Sequence, residues 1–357
     1  MSTLNWGILG AGNISSQFVH DLLLNNSRNG KIMHIVRSVG SSSQEKGQKF
    51  VDSTGITIEN NGGVTPSVQS YKEFFTNKSI DVVYIGTPHP FHRKQAIEAL
   101  ENGKHVLCEK PVTVTGESAR ELIALAKKKN LFFMEAVWTR FFPSIDLIKK
   151  YVFQEKVLGD TKRLWVDFGY DAGLDTLPAT SRVRDPKLAG GALLDIGVYN
   201  ITYARILLDT GVGKNASEFD VKSFQTIDEN DGVDYVSSML FKYKSGKHAI
   251  LSCTNYSSDD GPFLRLEGTK GKLEIWASNP ACPKKFKITF KDGTEPIEYE
   301  DTTGYNGFIY EANAVAEDIA QGRIENSTMP WDETLLVMDI MDKVRKDSGL
   351  QYPMGIE

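Results

Sequence analysis

The chain has 357 residues, of which 40% are apolar and 24% charged. That is ordinary globular composition and enough length for two or three domains around a sizeable core, so disorder, collagen and coiled coil are poor readings. Lys and Arg number 41 against 46 Asp and Glu, a net charge of −5, so no overall attraction to nucleic acid or to an anionic membrane is expected.

In chain order, the first third alternates strand and helix signals. An apolar strand over 5–9 runs into glycines, and a helix follows over 14–24 with Phe18, Val19, Leu22 and Leu23 at helical spacing. A second strand over 31–39, short helices over 44–51 and 71–75, and a buried strand over 81–86 come next. A helix over 92–101, a strand over 104–108, a helix over 116–129 and a strand over 131–134 complete the alternation. This pattern predicts a parallel sheet with right-handed crossovers. After about Trp138 the pattern changes. Leu164, Val166, Phe168 and Tyr170 alternate, and strands over 235–242, 247–255, 263–267, 272–276 and 286–290 are separated by glycine-containing turns. Helices over 309–320 and 332–346 close the chain. The expected fold class is α/β: a Rossmann domain with a parallel sheet over 1–136, then an α+β domain over 137–357 with an open, mostly antiparallel sheet. That sheet leaves one face to cover, and a mostly apolar face predicts a partner.

The first strand ends in Gly10-Ala11-Gly12-Asn13-Ile14-Ser15, a G-x-G-x-x-G-like loop with Ser15 in the last place. Its position between a strand and a helix is the context that makes this weak motif informative. Gly10 permits the tight turn, Gly12 lets a pyrophosphate approach the backbone, and the N–H groups at Asn13 and Ile14 face it. Ser15 is bulkier than the usual residue, so looser helix–strand packing is expected there. The second strand ends Val39-Gly40-Ser41-Ser42-Ser43 with no carboxylate until Glu45. A carboxylate there would read the 2′-hydroxyl of NAD and repel a 2′-phosphate. Its absence favours NADP, with Ser41 and Ser42 as contacts and Arg37 and Lys46 as sources of charge; the competing reading is a plain polar loop.

Lys127-Lys128-Lys129 reads as a solvated helix C-terminus. No secretory pattern opens the sequence, and no uncharged apolar run approaches roughly 18 residues. The three cysteines, Cys108, Cys253 and Cys282, form no CxxC pair, which favours a reducing, cytoplasmic setting and argues against structural zinc. His89 and His92 have no paired acidic cluster, so no metal is expected. The N-x-S/T triplets at Asn13 and Asn200 lie in active-site segments and read as chance.

Two further segments carry chemistry. Lys104 to Pro111 brings Glu109 and Lys110 to the C-terminal end of a strand, where open α/β sheets bind ligands. Gly190 to Tyr199 opens a helix with a double glycine and places Asp195 and Tyr199 four apart, on one face. With the segments 87–92 and 135–141, these motifs resemble the glucose–fructose oxidoreductase and inositol dehydrogenase superfamily. The GGALLDIGVY and EAVWTRFFP strings are most similar to the branch of dimeric dihydrodiol dehydrogenases and NADP-dependent D-xylose dehydrogenases. The resemblance covers nearly the whole chain. It departs from that branch at Ser42, where the branch often carries arginine.

The resemblance implies Tyr199 as acid/base, in the place histidine takes in the wider superfamily, with Lys110 and Asp195 beside it. It also implies Thr87, Pro88, His92, Glu109 and Lys110 on the cofactor, and Trp138, Arg140, Phe168, Asp195 and Tyr199 on the substrate. An unperturbed phenol is too weak an acid to serve as base at neutral pH, and a neighbouring ammonium would lower its pKa. The expected reaction is NADP-dependent hydride transfer from a sugar C1 hydroxyl or a trans-dihydrodiol, by a homodimer. The alternatives are a reductase of a dicarbonyl or sugar ketone, a dinucleotide-sensing regulatory protein without chemistry, and a scaffold that binds no cofactor.

Overall fold

The computed structural model describes residues 2–258 and 260–356. The first half contains β1 (Ser2–Leu9), α1 (Asn13–Ser27), β2 (Ile32–Gly40), α2 (Gln44–Ser53), β3 (Ser67–Gln69), α3 (Tyr71–Thr76), β4 (Val82–Ile85), α4 (His89–Glu101), β5 (His105–Glu109), α5 (Gly116–Lys129) and β6 (Phe133–Ala136). The strands form a parallel sheet in the order β3-β2-β1-β4-β5-β6. The chain winds outward from β1 in one direction and from β4 in the other. The crevice for a ligand therefore opens at the C-terminal ends of β1 and β4. β4 is buried along its whole length, as a central parallel strand must be.

The sequence reading missed β3, a three-residue edge strand too short to show a period. It also started α4 three residues late. Pro88 is the residue before the first turn and Pro90 sits within it, where a missing N–H costs no intrahelical bond.

The second half begins with a 3₁₀ turn (Trp138–Phe141) and α6 (Pro143–Lys149). There follow β7 (Thr161–Gly169), a π-helical turn (Leu193–Gly197), α7 (Val198–Leu207), β8 (Phe219–Ile227), β9 (Asp234–Tyr243) and β10 (His248–Thr254). Next come β11 (Leu264–Gly268), β12 (Gly271–Trp276), β13 (Lys285–Phe290), β14 (Ile297–Glu300), α8 (Phe308–Ala320) and α9 (Trp331–Ser348). The sheet order is β14-β13-β12-β11-β7-β10-β9-β8, antiparallel except where β10 pairs parallel with β7. Every residue of α7 is buried, because the helix lies between this sheet and the rest of the molecule. Asn200 anchors it, its Nδ2 donating to Ser252 O at 2.5 Å.

The last two helices return to the first half. Phe308 of α8 meets Phe18 of α1 edge to face, and Asp342 of α9 accepts the Gly116 N–H at 2.8 Å. The second half is thus wrapped against the first. Among the described residues no helix is long and apolar enough to cross a membrane.

The outer sheet face corrects one expectation: it is mixed, not mostly apolar. Phe224 (81% exposed), Leu240 and Trp165 are apolar. Trp165, however, sits between Arg163 and Arg265, whose guanidinium carbons lie 5.3 and 5.6 Å from its ring, and both arginines pair with Glu267. Alternation along β7 gave the inward positions correctly. The outward ones are governed by cross-strand charge pairing, which only the register reveals.

Candidate active site

Lys110 follows directly on β5, and the π-turn Leu193–Gly197 carries Asp195 to meet it. The Lys110 ammonium donates to the Asp195 backbone oxygen at 2.5 Å and lies 3.4 Å from its Oδ1. Arg182, from the loop between β7 and the turn, pairs with Oδ2 at 2.9 Å. Burial opposes ionisation of Asp195, but Lys110 and Arg182 outweigh it and hold the carboxyl well below the usual carboxylate range. Asp195 is therefore an anion with a cation on each oxygen.

Tyr199 lies on the next turn. The Lys110 Nζ stands 5.0 Å from the centre of its ring. Its hydroxyl oxygen accepts the Trp138 Nε1–H at 3.0 Å. Trp138 stacks flat on Phe308 with ring centres 4.0 Å apart, and Phe168 sits 5.8 Å from the Tyr199 ring. The structure therefore brings Lys110, Asp195, Tyr199, Trp138 and Phe168 together. The expected depression of the phenol pKa is corrected. Burial pushes it well above a phenol's ordinary value, and the Glu109 carboxylate adds to that. Lys110 is drawn to Asp195 and faces the ring rather than the hydroxyl, so Tyr199 carries its proton at neutral pH.

The local path is set by close packing. Gly190 lacks a side chain because a Cβ there would come within 2.5 Å of Val183 O. Gly191 has φ +111°, open to glycine alone, and a Cβ would strike the Asp234 carboxylate. The π-turn places one extra residue in the turn, a feature common at functional sites. The sequence reading took this stretch as an ordinary α-helix; the i, i+4 spacing still juxtaposed Asp195 and Tyr199.

The glycine loop lies at the C-terminal end of β1. Gly10 has φ +101° and packs against Gly86. At Gly12 a Cβ would find nothing closer than Gly86 O at 4.0 Å, so this side opens to space. Gly12 is also the N-cap of α1 and supplies no side-chain acceptor. The first N–H groups of α1, at Asn13 and Ile14, thus have no side-chain cap at the crevice, which suits a pyrophosphate. The buried Ser41 hydroxyl beside the loop has no hydrogen-bond partner, as expected of a group awaiting a ligand. These residues fit a dinucleotide.

Residues 4–137 match the GFO/IDH/MocA oxidoreductase family with an NAD-binding Rossmann fold, and residues 149–274 match the family's C-terminal domain. The chain belongs to the GFO/IDH/MocA family. It is 30% identical to a D-xylose 1-dehydrogenase (NADP(+)) from Hypocrea jecorina, over 98% of this chain and 93% of that one. It is 33% identical to a trans-1,2-dihydrobenzene-1,2-diol dehydrogenase from Xenopus laevis, over 98% of this chain and 99% of that one. A 3-ketoreductase from Actinomadura kijaniata, solved with NADP and TDP-benzene, shares the fold with a TM-score of 0.80 and 21% identity, over 97% and 98% of the two chains.

Several expected GFO/IDH/MocA site residues turn out to serve the protein itself. Arg140 is buried and its guanidinium is committed to Glu333, which also binds Arg205. His92 is buried with Nδ1 and Nε2 at 2.9 and 2.7 Å from Pro111 O and Thr87 O. Neither nitrogen is left for a cofactor, and the ring instead ties the Thr87 loop to the Lys110 turn. Glu109 turns inward, accepting from Tyr84 at 2.7 Å and from the Lys110 N–H at 3.2 Å. Arg37 reaches Asn5 in mid-strand, away from Ser41. Thr87 and Pro88 line the turn after β4, the Thr87 methyl against Gly10 and its hydroxyl on Gln95. Ser42 is exposed beside Ser43, which caps α2 through the Lys46 N–H. Ser15 does not loosen the helix packing. It is fully buried, in room left by Gly86, where a Cβ would come within 2.3 Å of its hydroxyl.

Sequence reasoning missed Arg182 and Glu311 and assigned His89 no role. Glu311 is buried with both carboxyl oxygens unpartnered. Burial first, and Glu109 second, lift its pKa well above the usual range, so it is a neutral acid behind Tyr199. His89 sits among Asp195, Lys110 and Arg182, and burial holds its pKa well down. Charged residues in a polar loop carry no periodic signal, so only the fold could reveal Arg182. Gly12→Ala should fill the open side of the loop. We expect dinucleotide affinity, read by fluorescence titration, to fall roughly tenfold, or about 1.4 kcal/mol, while the melting temperature stays put.

Proposed function

We propose that this protein is an NADP-dependent oxidoreductase whose substrate is a sugar hydroxyl of the D-xylose C1 type or a trans-dihydrodiol, with Tyr199 as the acid/base. The observation that carries this reading is the Tyr199 hydroxyl, fixed by Trp138 at 3.0 Å with an ammonium 5.0 Å over its ring. Trp138 occupies one lone pair, which leaves the phenolic O–H to point at a substrate oxygen. Bound nicotinamide supplies the hydride chemistry at its C4. In reduction the Tyr199 phenol gives its proton to the carbonyl oxygen; in oxidation the phenol first loses its proton to solvent, and the phenolate then takes the proton of the substrate hydroxyl. Lys110 stabilises negative charge on the ring and, with Asp195, orients the substrate oxygen. Phe168 and Trp138 supply an apolar wall for the sugar or diol face.

A second reading draws on one specific observation. Because Tyr199 rests as a phenol, it is already the acid that carbonyl reduction needs, which favours a sugar ketone or dicarbonyl as the substrate in the reductive direction.

Ser41 and Ser42 are the contacts we assign to the 2′-phosphate, with the Lys46 ammonium as the source of charge. The three unpaired cysteines fit a reducing, cytoplasmic setting. The homodimer expected from the branch would use the outer sheet face around Trp165, Phe224 and Leu240, joined by a two-fold axis that pairs like surfaces.

Tyr199→Phe should lower turnover by about 10²–10⁴-fold, the usual worth of acid–base catalysis, with NADP affinity unchanged; steady-state rates on D-xylose and a trans-dihydrodiol check this. A wild-type protein that binds NADP yet turns over neither these substrates nor ketones would point to a sensor instead. In parallel titrations NADP should bind more tightly than NAD; the opposite order would overturn the serine assignment. Light scattering at micromolar concentration should give twice the chain mass, and a monomer mass would count against the dimer.

A further inference from the structure

The turn that carries Asp195 is held by a residue that none of the steps above uses. Asp234, the first residue of β9, is fully buried. Its Oδ2 accepts the Leu193 N–H at 2.8 Å and the Ser237 hydroxyl at 2.6 Å. Its Oδ1 makes no hydrogen bond and lies against Gly191, where a Cβ would come within 2.4 Å. Leu193 is the first residue of the π-turn that leads through Asp195 into Tyr199. The opening N–H groups of a helix have no internal acceptor, so a side-chain oxygen there fixes where and how the turn begins.

From the other elements packed here, the Cys253 thiol of β10 and the Tyr352 phenol of the C-terminal segment face Asp234. Tyr352 donates to Gly190 O at 2.7 Å, so the same loop is gripped from a second side. The groups that touch the Asp234 carboxylate are neutral donors.

We propose that Asp234 is a positioning residue: its ionised carboxylate holds the Leu193–Gly197 turn in the geometry that joins Asp195 and Tyr199 to Lys110, and protonation releases that hold. An ionised acceptor makes the stronger hydrogen bond. The proton goes to Oδ1, which has no other partner; Oδ2 then loses its charge, and the bonds it accepts from Leu193 and Ser237 both weaken. Burial outweighs the hydrogen bonds from Ser237 and the Leu193 N–H, which favour the ionised form, and leaves the Asp234 pKa raised to about 6. The acid takes up its proton as pH falls through that value, so the hold is present above it and lost below.

The kinetic readout rests on the reading of Tyr199 as acid/base; a second readout does not. At saturating substrate and NADP, kcat of the wild type should fall roughly tenfold per pH unit below an apparent pKa near 6. Asp234→Asn should lower kcat, leave NADP affinity unchanged and remove that acid limb. Ser237→Ala takes one donor from the carboxylate and should move the limb upward. Hydrogen exchange of the 190–200 peptide, corrected for the intrinsic effect of pH, should quicken below pH 6 in the wild type and be uniformly fast in Asp234→Asn. A limb that survives in Asp234→Asn belongs to another buried acid, such as Glu135, and overturns the proposal; so does peptide exchange that ignores pH. If Asp234→Asn does not fold, an unmoved limb in Ser237→Ala decides against it. If the wild type turns over no substrate, the functional reading fails while the exchange experiment still decides the role of Asp234.

Discussion

The contact between Lys110 and Asp195 joins the two halves of the molecule, and the site exists only because of it. Lys110 comes from the end of a parallel strand and Asp195 from a turn in the second half, 85 residues later. Each would be a poorly solvated charge if buried alone. Together with Arg182 they form a cation–anion–cation row in which each Asp195 oxygen has a partner. Breaking such a buried arrangement on one side typically costs about 3–5 kcal/mol, so the halves are held in one relative placement.

Behind that row runs a series of contacts that aims Tyr199. Asp21 of α1 caps α8, its Oδ1 and Oδ2 accepting the Asn306 and Gly307 N–H groups, each at 2.8 Å. A cap of this kind contributes about 1 kcal/mol, and here it spans the two halves. It fixes α8, α8 presents Phe308, Phe308 stacks on Trp138, and Trp138 holds the Tyr199 hydroxyl. The 3₁₀ turn that carries Trp138 is secured by Arg140, whose guanidinium meets Glu333 of α9. Arg140 therefore supports the wall of the site. The phenol sits in a rigid, largely dry setting beside Glu109 and the neutral Glu311, which is why its proton stays on.

Much of this was legible in the sequence. The alternation of strands and helices gave the parallel sheet, because buried parallel strands and amphipathic helices leave different periods. Gly10 announced the loop through a conformation and a close approach that no other residue tolerates, and Gly12 through the open side it leaves beside it. Gly190-Gly191 with Asp195 and Tyr199 announced the second segment; the end of a parallel strand pointed to Lys110, and the resemblance supplied its role. Short edge strands such as β3 left no period to read, and the outer face of the second sheet was misjudged because strand register, not alternation, decides which charges meet there.

What the sequence determined by itself, then, is local: element order, the glycine turns, and which chemical groups the chain possesses. What only the tertiary structure decided is which of those groups face one another across the junction. His92, Glu109 and Arg140 stand in motifs that look like ligand contacts, yet packing turned them to the interior, because a buried polar group must find a partner wherever the fold offers one. Arg182 and Asp234 lie in unremarkable stretches, yet they hold Asp195 and its turn. A pKa likewise belongs to an environment: the same phenol that an adjacent ammonium would acidify in an open setting is kept protonated here by burial, since Lys110 was claimed by Asp195.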